Sequence, residues 1–177
     1  MAASPARLSD PVLLRHLLWI AVASGRPLQL HAGLGEPGSR IDRTDPVLLT
    51  DFVRATAGLG TDLILLHGYP YHRHAAHLAG VFAHVYTDSG AALVRTGARA
   101  ATVLAEILEL APFGKILFST GAHGLPELHV VGARLFREAL GQVLGGWVGE
   151  GAWALEDAQR VARMVASGNA RRVYRLG

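Results

Sequence analysis

The sequence predicts an α/β fold of four strand–helix units, and three observations carry the prediction. Apolar runs of strand length recur over 27–33 (PLQLHAG), 62–67 (DLILLH), 84–88 (HVYTD) and 115–120 (KILFST). Longer segments with apolar residues at helical spacing separate them. The runs are apolar on both faces rather than alternating, which is the signature of parallel strands covered by helices.

Each element has a local cause. Asp10 followed by Pro11 supplies a side-chain cap and a first-turn proline, and Leu13, Leu14, Leu17, Leu18 and Ala21 then form one face until Gly25 stops the helix. The loop over 34–42 holds Gly35, Pro37 and Gly38, and Gly33 and Gly35 suit a tight turn after His31. Thr44-Asp45-Pro46 opens a second capped helix with Leu48, Leu49, Phe52 and Val53 inside. Helical spacing resumes over 71–81, and the third strand leads to a helix through Ala100, Val103, Leu104, Ile107 and Leu108. A long amphipathic helix starts near Pro126, with Leu128, Val131, Leu135, Phe136, Leu140 and Val143 on one side, and Gly145-Gly146 is expected to break it. Helices over 155–165 and 170–176 close the chain, with Asn169 as a cap between them. An eight-stranded barrel takes roughly 250 residues, so 177 residues make about half of one. An open doubly wound sheet of four strands fits the same spacing.

Composition narrows the function. Half of the chain is apolar, enough for one core, and the reading is a single domain over 1–177 with residues 1–8 disordered. Arg15 and His16 interrupt the apolar run over 12–23, so no stretch reaches the roughly 20 residues of a spanning helix. That run has some features of a secretory signal, but its residues fit a helix face better. The expectation is a cytoplasmic protein without membrane contact. There is no cysteine, which excludes disulfides, thiolate zinc sites and cysteine nucleophiles; any metal is held by His, Asp or Glu. The net charge is +3, Lys115 is the single lysine, and the arginines are scattered except for Arg171, Arg172 and Arg175, so a nucleic-acid partner is not expected. No phosphate loop, nucleophile elbow or dinucleotide fingerprint occurs.

The informative feature is what ends each strand. His31 closes the first, His67 the second and Asp88 the third, and TGAH (120–123) follows the fourth. Carboxyl ends of parallel strands are the face on which such folds assemble their sites. Two imidazoles on successive strand ends would point to a shared centre, and neutral imidazole is a common ligand of zinc-like ions. The competing reading is a pair of buried histidines satisfied by backbone. Spacing alone weighs the two evenly.

The strings LQLHAGLGEPG (28–38), LLHGYPYHRHAAHLA (65–79), VYTDSG (85–90), FSTGAHGLPELHVVGARLFREAL (118–140) and NARRVYRL (169–176) resemble the second half of the amidohydrolase-related metal-dependent hydrolases. They are most similar to the branch found beside, or fused to, glutamine-synthetase-like domains in nodulin and fungal developmental proteins. The resemblance implies the C-terminal half of a (β/α)8 barrel with C-terminal helices. It implies a divalent metal, zinc above others, held by His31 and His67. It further implies hydrolysis of C–N or related bonds by metal-activated water, acting on a small amide or carboxylate. The family's last-strand aspartate, which contacts the metal and takes the proton from water, falls at Gly121, and its first-strand His-x-His pair falls upstream of Met1. Asp88 and His123 are the candidate stand-ins for the missing acid. Tyr71, His72 and Arg73 are expected at the pocket rim, His74 and His77 in solvent, and Glu127 and His129 as orienters of the loop after the fourth strand. The alternative is a non-catalytic barrel fragment, a pseudoenzyme that binds a metal or a partner. A half-barrel leaves open strand edges, so self-association or a complementing chain is expected in either case.

Overall fold

The computed structural model describes residues 10–35 and 39–177; the expected disorder over 1–8 lies outside them. Helix α1 (Pro11–Ala23) starts on Asp10, whose side chain accepts hydrogen bonds from the backbone N–H groups of Val12 and Leu13 at 2.8 and 2.9 Å. Strand β1 (Leu28–Ala32), two 3-10 turns and α2 (Thr50–Thr56) follow, then β2 (Leu63–His67), α3 (His72–Val81) and β3 (Val85–Asp88). After β3 come α4 (Gly90–Thr96), α5 (Ala100–Leu110), β4 (Ile116–Leu117), α6 (Pro126–Gly149), α7 (Leu155–Arg163) and α8 (Asn169–Val173).

The four strands are parallel and lie side by side in chain order, with Leu28 opposite Leu63, Leu63 opposite Val85 and Thr87 opposite Ile116. A doubly wound sheet reverses its strand order at a switch point. This one runs in a single direction, as the wall of a barrel does. The chain is therefore a partial (β/α)8 barrel with C-terminal helices.

The pleat divides the sheet into two faces. Leu63, Leu65, Val85 and Ile116 join the main core beneath the helices, where they meet Ala75, Leu78, Leu93, Leu104, Ile107, Phe136 and Leu140. Ile64 and Leu117 point the other way and pack with Val173, with Leu66, Tyr86, Ala170 and Tyr174 around them. The closing segment thus covers part of the sheet's inner face, and Gln29 Nε2 donates to the Tyr174 hydroxyl at 2.6 Å.

Several elements depart from expectation. Gly145-Gly146 does not break α6, which continues to Gly149. Two glycines cost roughly 1 kcal/mol each in helix propensity, and burial of Val143 and Leu144 on the face beside them outweighs this. The predicted inner face of α1 is uncovered: Leu13, Leu14 and Leu17 are about half exposed and only Val22 is buried. The amphipathic pattern is real, but its partner is not among the described residues. Helix α4 is additional to the predicted elements, and β4 is two residues long rather than six. Asn169 does not cap: the helix passes through it by a π-helical turn, Met164–Gly168. Fully buried, Asn169 instead donates from Nδ2 to the carbonyls of Phe113 and Ile116 at 2.7 and 2.8 Å, tying the C-terminal helices to the start of β4. No helix among the described residues is long and apolar enough to cross a membrane.

Replacing Asn169 by Leu removes the side-chain donor to one buried and one part-buried carbonyl, so urea denaturation is expected to show a loss of about 2 kcal/mol or more. The exposed neighbour Ser167→Ala is expected to stay within about 0.5 kcal/mol of wild type. A loss for Asn169→Leu no larger than the control would contradict the tie.

Candidate metal centre

His31 and His67 end adjacent strands, but they do not start out on one face. Leu63 and Leu65 face the helices while Ile64 and Leu66 face inward, so strict alternation would send His67 into the helix layer. The backbone of His67 instead takes φ 68° and Gly68 takes φ 70°. A left-handed turn at a residue with a Cβ is uncommon and costs on the order of 1 kcal/mol. It swings the ring to 4.6 Å from that of His31, centroid to centroid and edge-on.

Hydrogen bonds orient both rings. His31 Nε2 donates to the Leu34 carbonyl at 2.8 Å, which leaves the lone pair on Nδ1. His67 Nδ1 accepts from the backbone N–H of Ala91, the second residue of α4, at 3.1 Å. Burial brings the His67 pKa down to about 4, helped by the charges of His31 and Arg95, so its ring is neutral at pH 7; with Nδ1 accepting from Ala91 the proton sits on Nε2, and a metal would have to take the Nδ1 lone pair from that N–H. Beneath it Asp88 is buried, with Oδ1 at 3.9 Å from His67 Nδ1 and accepting from the Ser119 hydroxyl at 3.0 Å. Burial pushes Asp88 up to about 7 against the pull of that hydrogen bond. Between those two values both groups are neutral, and the contact is not an ion pair.

A cleft of about 600 Å³ opens over the strand ends, lined by His31, Leu34, Gly35, His67, Ala91, Arg95, Gly121 and His123. The structure therefore brings His31, His67, His123 and the Gly121 position together. Asp88 lies in the adjoining cavity with Ser119, His129 and Tyr174. His129 Nδ1 meets the Thr120 hydroxyl at 3.2 Å and so fastens the loop after β4, as expected, whereas Glu127 is exposed. Among the described residues no group of three or more His, Asp or Glu side chains is arranged to hold a metal. The donors fit a divalent ion in kind, with a free Nδ1 on His31 and a lone pair on His67 Nδ1 that a metal would have to win from the Ala91 N–H, but they fall short of the three protein ligands of a catalytic zinc site.

Tyr71, His72 and Arg73 are not among the cleft-lining residues. Helix α3 begins at His72 and turns its first residues toward α5: His72 Nε2 lies 2.6 Å from Glu106, and Arg73 forks onto Glu109 at 2.9 and 3.2 Å. Tyr71 stacks on His74 at 5.7 Å, and His74 in turn meets Asp45 at 3.0 Å. The cleft's arginine is Arg95, which sequence reading missed along with α4. The available signal was GAALVRT directly after a strand end, one short helix placed on the site face.

Glycine at 121, where the resemblance puts the family's acid, is a packing requirement. Its φ is 61°, and a Cβ there would lie 2.7 Å from Ala91 Cβ and 3.0 Å from His67 Cε1. Gly124 has φ 86° with nothing within 4 Å of a Cβ, so it isolates the backbone cost. Gly124→Ala is expected to lose about 1 kcal/mol in urea denaturation. Gly121→Ala is expected to lose roughly 1–3 kcal/mol more, from the added clash. Equal losses would show that α4 and His67 yield freely.

The comparisons with known proteins agree with the fold. Protein fluG of Emericella nidulans is 35% identical over 153 residues, which is 85% of this chain and 18% of that protein. A crystal structure from Lactobacillus casei ATCC 334, described as a metal-dependent hydrolase, matches with TM-score 0.80 and 30% identity over 92% of this chain and 43% of its own. Uronate isomerase of Thermotoga maritima matches with TM-score 0.66 and 14% identity, over 97% of this chain and 43% of its own, a likeness of fold alone. The chain spans less than half the length of each of these relatives. The amidohydrolase family model matches residues 2–176, and the chain belongs to that family.

Proposed function

We propose that this chain carries the two-histidine part of a divalent-metal site in a hydrolase of C–N or related bonds. The observation that supports it is the approach of His31 and His67 to 4.6 Å at the carboxyl ends of neighbouring strands, bought by a left-handed backbone at His67. Zinc is the ion that suits such ligands. A bound divalent ion would polarise a substrate carbonyl and lower the pKa of a water toward 7. The chain's own residues orient the two imidazoles: Leu34 holds one ring, Ala91 the other, and His123 stands at the rim beside Gly121. The remaining ligand and the general base would come from residues beyond this set.

A second reading, a metal- or partner-binding module without turnover, is favoured by one specific observation. The position where the resemblance puts the acid is a glycine whose surroundings leave no room for a Cβ. In either reading the unpaired edges of β1 and β4 and the bare face of α1 suit a second copy or a complementing chain.

Purified protein is expected to retain metal near one equivalent, and His31→Ala and His67→Ala to lose most of it by elemental analysis. Wild type with no more metal than the double variant would overturn the site. Turnover of γ-glutamyl amides or simple esters, lost in the same variants, separates the hydrolase from the binding module. Light scattering at micromolar concentration is expected to show an assembly larger than a monomer; a clean monomer would remove the case for edge pairing.

A further inference from the structure

The cleft wall has an uneven chemistry. Among the described residues its polar side chains are three imidazoles, His31, His67 and His123, and one guanidinium, Arg95; Leu34, Gly35, Ala91 and Gly121 add no side-chain acid. Asp88 is buried beside the cleft, in the adjoining cavity, and not in this wall. Arg73, the arginine that the sequence singled out, is occupied by Glu109 in a two-pronged pair. Arg95 has no carboxylate within 4 Å among the described residues. Helix α4 places it in the wall, on the same helix whose Ala91 N–H orients His67.

We infer that Arg95 is the anchor for a carboxylate group of the ligand, so that the cleft takes small carboxylate-bearing molecules rather than neutral amides. A guanidinium offers two parallel N–H donors that match one carboxylate, and it stays charged at any working pH. One permanent cation balances the single charge of a carboxylate, whereas a phosphate dianion would call for more than one. Glycine at 121 contributes to the same end, because a carboxylate there would face the bound anion at short range. The inference rests on reading the cleft as the ligand site, but it does not require the metal.

The test is calorimetric titration of the full chain, both chelator-treated and reloaded with zinc, using succinate, succinamide and inorganic phosphate as probes. Succinate is expected to bind in both states and succinamide in neither, with phosphate weaker than succinate. Arg95→Gln is expected to weaken succinate by roughly tenfold or more and Arg95→Lys by less, with far-UV dichroism and melting as for wild type. Arg73→Gln is expected to leave succinate binding unchanged. The inference is overturned if wild type does not bind succinate, if succinamide binds as well, or if phosphate binds more tightly. It is also overturned if Arg73→Gln rather than Arg95→Gln carries the loss, or if binding appears only with zinc and survives Arg95→Gln. Arg95-dependent binding in a protein that holds no zinc would sink the metal reading and leave this one standing. Stoichiometric zinc with a silent Arg95→Gln would do the reverse.

Discussion

The backbone turn at His67 is the constraint on which the site depends. In a regular strand, neighbouring residues project to opposite faces, so a histidine that follows Leu63 and Leu65 in parity belongs under the helices. The left-handed φ at His67 cancels one step of that alternation and delivers the ring to His31. The neighbourhood then holds it there. Ala91 N–H bonds Nδ1, Gly90 leaves space where any Cβ would strike both His67 Nδ1 and Asp88 Oδ1, and Gly121 leaves space at Cε1. Three positions from two later strand–helix units thus serve one imidazole of an earlier one, and a local cost on the order of 1 kcal/mol is offset by contacts made elsewhere.

That arrangement leaves no room for a side chain at Gly121, where the resemblance puts the family's acid. Gly121 is in contact with α4 and with His67, so its side-chain volume has been given over to the helix that carries Ala91 and Arg95. The face that a carboxylate would occupy is a close approach of backbone to helix. The result, among the described residues, is a site rich in donors and poor in acids, with Asp88 in the adjoining cavity below the rings and kept protonated to near neutrality by burial.

The sheet carries an equivalent imbalance at larger scale. Its middle is well covered: Leu63, Ile64 and Leu65 are fully buried, with α3, α5 and α6 on one face and α8 against the other. Its margins are not. Among the described residues strands β1 and β4 each have one neighbour, and α1 presents Val12, Leu13, Leu14, Leu17 and Ile20 outward. The chain covers 43% of the length of the Lactobacillus casei metal-dependent hydrolase that it matches.

Much of this was legible in the residues themselves. Apolar runs such as LILLH (63–67), spaced by helix-length crossovers, determined a parallel α/β sheet, because a strand buried on both faces has no polar side to show. Asp10-Pro11 and Asp45-Pro46 determined where two helical segments begin, since each cap is made by a side chain reaching two or three residues along its own chain. The placement of His31 and His67 at strand ends was equally local. What needed the tertiary structure was everything set by contact across the chain. Gly145-Gly146 remain helical because Val143 and Leu144 beside them are buried; Asn169 ties rather than caps because β4 lies beside it; His72 and Arg73 leave the cleft because α5 offers Glu106 and Glu109, and Tyr71 stacks on His74. Propensity and spacing report what a segment can do alone, whereas the direction of a side chain at a strand end depends on a single backbone angle that only its neighbours select.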